Sequence, residues 1–220
     1  MYQWHFEVIY DYYQVFLDGA LITTQLTIVS FVIGIVLGLF LALARLSGKP
    51  LISIPATIYV EALRATPALV QLVWIYYALP IITGIRLDSF SSLCLGLGLH
   101  EAAYFGEVLR GGIQSIERGQ VDAAKSVGMV YHQAMRRIIL PQAVRRMIPP
   151  FMNETANLIK LTTLGSVLAV YELLHASNVL ITTTYRPLEV YTATAIIFGM
   201  IIYPLMALSR VIERRWAKGR

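Results

Sequence analysis

Residues 20–44 read ALITTQLTIVSFVIGIVLGLFLALA and carry no charge. A bilayer core about 30 Å thick is crossed by about 20 such residues in a helix. The block is therefore expected to form the first transmembrane helix. Gly34 and Gly38 within it make a small-xxx-small pair, open to two readings: close approach of another helix, or glycines simply tolerated in a membrane segment.

Outward from this block the chain keeps the same character. Of its 220 residues 57% are hydrophobic and 14% charged, against roughly 25% charged in an ordinary soluble domain. So little charge cannot cover a surface in water. The expected class is an all-α, multi-pass membrane protein, one transmembrane domain over residues 1–220. The net charge of +5 does not point to nucleic acid, because the bases sit in short segments between apolar blocks. A lone Cys94 allows no internal disulfide, and with no His or Cys companions at ligand spacing no metal site is expected.

Residues 1–19 contain Glu7, Asp11 and Asp18 but no Lys or Arg, and Tyr2, Trp4, Phe6, Tyr10, Tyr12, Tyr13 and Phe16 read as an interfacial aromatic belt. This end is expected outside. It lacks the basic n-region and cleavage pattern of a signal peptide, so the first apolar block is expected to be retained as an anchor. After it, Arg45, Lys49 and Pro50 mark an inside loop. The chain turns apolar again from residue 58, through EALRATPALVQLVWIYYALP (61–80), where Pro67 should kink or start the helix. TGIRLDS (83–89) then returns the chain.

The next span, residues 90–115, carries His100, Glu101, Glu107 and Arg110. A charge at the bilayer centre costs roughly 2.5–3.5 kcal/mol on insertion scales, so these side chains must face protein or water. His100, Tyr104 and Glu107 share one helical stripe. Glu107 and Arg110, three apart, read as a neutralising pair. Glu101 has no local partner and, with Tyr104, is a candidate for a translocation path.

In LPQAVRRMIPPFMNETANLIKLTTL (140–164), Arg145 and Arg146 belong to the inner interface and Pro149 and Pro150 are expected to break or kink the helix. Glu154 falls at membrane depth, and Asn153, Asn157 and Lys160 repeat at i, i+4, i+7. A polar stripe in an apolar helix suits a path lining, since lipid cannot solvate it. For Asn153 and Thr155 the alternative is interhelical hydrogen bonding, worth about 0.6 kcal/mol per contact. Residues 170–189, with Glu172, His175 and Arg186, read as an outside segment, and 190–209 as a last span. Arg45, Lys49, Arg118, Lys125, Arg136, Arg137 and the tail bases Arg210, Arg214, Arg215, Lys218 and Arg220 fall on one side; little more than Arg86 and Arg186 falls on the other. About five transmembrane helices follow, N-terminus outside and C-terminus inside.

Between the third and fourth spans lies ERGQVDAAKSVGMVYHQAMRRIILP (117–141). Val121, Ala124, Gly128, Tyr131, Met135 and Ile138 recur at spacings of three and four, opposite Asp122, Lys125, His132 and Arg136. The pattern is that of an amphipathic helix, which by itself also suits the anionic inner leaflet.

The spacing Asp122-Ala123-Ala124, Gly128, Ile138, Leu140, Pro141 resembles the EAA loop of the membrane subunits of ATP-binding-cassette importers, with Asp in place of the usual Glu. The flanking stretches EALRATPALVQLVWIYYALP, EAAYFGEVLRGGIQSIERGQ, LPQAVRRMIPP and NETANLIKLTTL, with the ERR tail, resemble the polar amino acid permease branch nearly throughout. The resemblance implies a cytoplasmic coupling helix seated in a groove of an ATPase subunit, with Asp122, Ala123, Ala124, Gly128, Arg136 and Pro141 as coupling residues. It also implies two ATPase subunits holding ATP and Mg, a second permease subunit, identical or homologous, an external amino-acid-binding protein, and an amino acid substrate in the bacterial inner membrane. The substrate path would include Glu101, Tyr104, Asn153, Glu154, Asn157, Lys160 and Thr162. Where the family has K-D-T/S-S-L this chain has Lys160-Leu161-Thr162-Thr163-Leu164, so Lys160 loses a neighbouring carboxylate. GGIQSIERG lacks the Gly-Lys-Ser/Thr of a phosphate loop; the chain is expected to be neither an ATPase nor the holder of a cofactor. The rival class, an ion-coupled secondary carrier, would also use intramembrane carboxylates such as Glu101 and Glu154.

Overall fold

In the computed structural model, which describes residues 2–217, Glu7–Asp11 forms a short helix, α1, and Tyr13–Leu46 a long one, α2. The chain continues as α3 (Pro50–Ala65), α4 (Ala68–Val73), α5 (Leu79–Thr83), α6 (Ser89–Gln114), α7 (Arg118–Ser126), α8 (Tyr131–Ala134), α9 (Leu140–Leu161), α10 (Leu173–Thr184) and α11 (Pro187–Ala217). The all-helical membrane class expected from composition is the one observed. By length and composition α2 and α11 can each cross a membrane, and two bent pairs raise the number to four. α6 is long as well, 26 residues, but holds Glu101, Glu107 and Arg110.

The buried residues of α2 are Phe16, Gly19, Thr23, Leu26, Ser30, Gly34, Gly38 and Ala42. They recur every three or four positions, so they form one stripe of mostly small side chains. Against it lies α6, which also packs on α3, α4 and α9 and is the hub of the bundle. A Cβ on Gly38 would stand 2.9 Å from the Gly106 nitrogen and 3.0 Å from the Ala102 carbonyl oxygen. Lipid is as apolar as leucine, so membrane helices associate through packing, and here two backbones approach as closely as packing permits. The packing reading of the glycine pair is the observed one.

Several expectations need correction. The second apolar run begins earlier than residue 58, with α3 at Pro50, and Pro67 starts a new helix, one of its two expected effects, whose arm Ala68–Thr83 leaves α3 at 109°. Pro67 forces Thr66 into extended backbone (φ −113°, ψ 145°) and supplies no donor, so α3 stops and α4 starts there. Pro149 and Pro150 do not break α9, which runs through them; neighbouring helices make such prolines tolerable in membrane segments. The sharper bend, 48°, comes later, ahead of Leu173. Residues 170–189, loop-like in composition, are mostly helical. Glu172 caps α10, its two carboxylate oxygens accepting from the Leu174 and His175 amides at 2.8 Å, and the Leu173 amide donates to Thr23 of α2. Lys218 and Arg220, counted among the inside bases, lie outside the described residues.

Two widened, π-type turns interrupt the rods, at Trp74–Ala78 and Met135–Ile139. Each is followed by Leu-Pro, Leu79-Pro80 and Leu140-Pro141. A proline ring crowds the carbonyl one turn back and leaves it without a donor; widening that turn is one way a helix accommodates it.

At the outer end the Tyr2 hydroxyl donates to Glu189 at 2.6 Å and the His5 amide to the same carboxylate at 2.9 Å, which ties the aromatic N-terminal segment to α11. Gly38→Leu is expected to force α2 and α6 apart, at a cost of about 1–3 kcal/mol. Gly199→Ala adds a Cβ that meets nothing within 4 Å and serves as the control. Equal melting temperatures for the two variants in detergent would contradict the central place given to the seam.

Candidate translocation path and coupling surface

Glu101 sits on α6 within the tight seam against α2. A Cβ on Gly34 would lie 3.0 Å from its own Cβ, the side chain is fully buried, and neither carboxylate oxygen has a hydrogen-bond partner. Glu154 of α9, half-buried, lies close enough to Glu101 and Arg64 to interact with both electrostatically. Phe105 of α6 stacks on Phe151 of α9 with ring centroids 4.4 Å apart, which brings together the stretches that carry these two carboxylates. Arg64 also stands over the Tyr104 ring, 5.6 Å from its centroid, within cation–π range, and Tyr104 pairs with the His100 ring at 4.9 Å.

Of the stripe on α9, Asn153, Asn157 and Lys160 all face away from this chain's own bundle. Polar groups in such a position need water, substrate or another protein surface. Thr155 bonds to Phe151 of its own helix at 2.8 Å, not across helices. Thr162 is fully buried and donates to the Ile159 carbonyl at 2.7 Å, which places it in the turn that ends α9.

Glu107 is paired, and more extensively than its own helix allows. Arg110 holds it from one turn on, Arg45 of α2 donates to it at 2.7 Å, and Arg45 also reaches Glu61 of α3 at 3.5 Å. The expected neutralising pair is therefore the centre of a cluster joining three helices.

Sequence reasoning missed Gln71. The break at Thr66-Pro67 leaves the last carbonyls of α3 without helical donors. The Gln71 Nε2 donates to the Leu63 carbonyl at 2.8 Å and the Thr66 carbonyl at 3.0 Å. Its Oε1 faces His100 Nδ1 at 3.0 Å, and as an amide oxygen only accepts, the histidine carries its proton on Nδ1. The available signal was a lone amide four residues after a proline in an otherwise apolar run.

The segment 117–141 is not one amphipathic helix. α7 ends in a left-handed residue, Gly128 (φ 79°), whose amide donates to the Lys125 carbonyl while that of Met129 donates to Ala124. This is a Schellman ending, for which glycine is the usual residue. Gly128 is thus an exposed corner, and Tyr131, placed on the apolar face, is 69% exposed. Ala124 is buried within this chain. Asp122, Ala123, Lys125, Arg136 and Pro141 are exposed. Beneath them Ile116, Ile139, Ala143 and Met147 form a small core with Val108, Leu109, Ile113, Val121 and Met135, and Arg146 donates to the Ser115 carbonyl at the end of α6. The bracket is packed onto the ends of both helices that carry the buried carboxylates.

Long apolar helices, carboxylates buried between them and a basic bracket at one end define a membrane transport subunit. Residues 34–218 match the family of binding-protein-dependent transport system inner membrane components, and the chain belongs to that family, a multi-pass protein of the inner membrane. It is 36% identical over 195 residues to the probable amino-acid ABC transporter permease protein YckA of Bacillus subtilis, covering 89% of this chain and 86% of that protein. To the glutamine transport system permease protein GlnP of Escherichia coli it is 32% identical over 214 residues, covering 97% and 98%. Its fold matches a chain in the crystal structure of an amino acid ABC transporter with histidines, with a TM-score of 0.91, 33% identity, and coverage of 97% and 100%.

Gln71→Leu is expected to strand the Leu63 and Thr66 carbonyls and the His100 donor, destabilising the chain by about 1–3 kcal/mol. A thermal-shift measurement in detergent checks this, and an unchanged midpoint would show that water or lipid replaces the amide.

Proposed function

We propose that this chain is the permease subunit of an ATP-binding-cassette importer that carries polar or charged L-amino acids into the cytoplasm. The observation that carries the reading is the pairing of buried carboxylates with a surface bracket on the same two helices. Glu101 of α6 is fully buried and Glu154 of α9 half-buried, Phe105 and Phe151 stack between the two helices, and the core under α7 and α8 is built from the ends of those helices. The amino acid relatives named above support the substrate class.

In this reading five spans cross the bilayer: α2, the bent arm α3 to α5, α6, the bent arm from α8 through α10, and α11. Arginines and lysines cluster around α7 to α9 and the end of α11, which supports an inside location for the bracket and an outside location for the N-terminus. Gly111 and Gly112 lie within the last turns of α6, so GGIQSIERG forms no phosphate cradle, and ATP with its Mg belongs to the partner ATPase pair. The other partners are a second permease subunit and an external amino-acid-binding protein.

The chain's own part begins at the exposed face of Asp122, Ala123, Lys125, Arg136 and Pro141, which docks in a groove of the ATPase. Ala124 and the core of Ile116, Ile139 and Met147 make the bracket move with α6 and α9, because close-packed side chains transmit displacement. Each partner must favour a different state for such movement to alternate access. At the midplane Glu154 meets the cationic group of the amino acid, while Asn157 and Lys160 face the path from the same helix.

The test is ATP-driven uptake by the chain reconstituted with its ATPase and binding protein. Glu154→Gln is expected to lower uptake at least tenfold, the loss of about 1.4 kcal/mol or more of charge pairing; wild-type uptake by this variant would overturn the assignment. Gly128→Val puts a β-branched residue at positive φ. It is expected to leave the protein in the membrane but abolish uptake, and retained uptake would argue against a coupling role for the bracket.

A further inference from the structure

Where α9 begins beside the end of α11, a groove of about 360 Å³ is lined by Leu140, Val144, Arg145, Ile148 and Trp216, with Arg136 and Pro141 of the coupling surface at its rim. Binding sites for small organic molecules run from roughly 300 to 1,000 Å³. Leu140, Val144 and Ile148 succeed one another at intervals of four, so they form an apolar wall along one face of α9. Leu140 is 42% and Val144 43% exposed, so that wall opens away from the bundle.

The charges around it are of one sign. Arg136 and Arg145 are exposed, and neither is ion-paired among the described residues. Glu213, the acidic residue of this end of α11, is exposed and does not line the groove. α11 is apolar up to Leu208 and turns basic at Arg210, Arg214 and Arg215, with Trp216 next to them. This is how a helix leaves the hydrocarbon through the headgroup layer. The groove therefore sets an unpaired arginine, Arg145, beside an apolar wall, close to where α11 turns basic.

We propose that this groove is a binding site for an anionic phospholipid. One acyl chain lies along Leu140, Val144 and Ile148, the phosphate meets Arg145, and the Trp216 indole stands at the boundary between them; Arg136, at the rim, belongs to the ATPase-facing surface. Basic pockets between transmembrane helices suit anionic headgroups, each arginine near the surface contributing about 1 kcal/mol, or about fivefold in occupancy. A protein surface can meet the same arginine, and protection of Trp216 by the ATPase distinguishes that case. The proposal rests on the inner-membrane setting of the chain and not on amino acid transport.

The test uses the full chain in phosphatidylcholine nanodiscs, with Trp4→Phe and Trp74→Phe so that Trp216 is the sole tryptophan. Brominated phosphatidylglycerol is expected to quench Trp216 at a mole fraction at least about fivefold lower than brominated phosphatidylcholine does, and Arg145→Gln to remove most of that difference. Equal quenching by the two lipids would mean ordinary annular contact and overturn the site. A preference for phosphatidylglycerol that survives Arg145→Gln would overturn it as well, and so would protection of Trp216 on adding the ATPase, which assigns the groove to protein docking. Native mass spectrometry of the chain with its tryptophans intact gives a second reading: one retained phosphatidylglycerol, lost in Arg145→Gln. Neither readout involves transport, so its failure is distinguishable from failure of the uptake experiment.

Discussion

The close contact of Gly34 and Gly38 with α6 is the constraint from which the rest of the bundle follows. In lipid no hydrophobic force drives one helix onto another, so the hub position of α6 depends on how nearly its backbone can approach α2. That approach leaves Glu101 fully buried. The cost of burying a carboxyl there is borne by the packing of the seam, a stabilising feature placed next to a destabilising one. Such pairing of strain with support is common at functional sites.

Polar groups elsewhere in the bundle are satisfied by long-range partners. Glu107 draws Arg45 from α2 and, through it, Glu61 from α3; Gln71 closes the open end of α3 and touches α6 through His100. Glu172 and Glu189, both fully buried, accept backbone amides or a tyrosine hydroxyl. Against this background the two unpartnered oxygens of Glu101 stand out, because buried polar atoms are as a rule hydrogen-bonded.

What was legible in the sequence was whatever depends on composition and local period. The uncharged block at 20–44, the span holding His100 and Glu101, and the start of a helix at Pro67 all follow from such signals. What was not legible depends on chain reversal and on partners distant in sequence. The apolar period across Gly128 looks continuous on paper, yet the glycine turns left-handed and the face is split. Residues 170–189 look loop-like because Glu172 and three threonines are polar. Those groups are spent on a cap and on carbonyls of their own helix. The spacing from Asp122 to Pro141 was legible, but whether each residue points outward was not: Ala124 faces in while Ala123 faces out.

The widened turn before Leu140-Pro141 has a further effect. A π-type turn holds one residue more than an α-turn, and one residue is about 100° of rotation in a helix of 3.6 residues per turn. Side chains after Ile139 are therefore out of phase with those before it, and a helical wheel drawn from Tyr131 into α9 assigns the wrong azimuth to everything beyond the proline. The direction in which Asn153, Asn157 and Lys160 look, and the direction in which Arg136 looks, are set separately by that one inserted residue. The same offset precedes Pro80, so two of the rods carry a built-in change of angular register where a straight helix would have tied both of their ends to a single face.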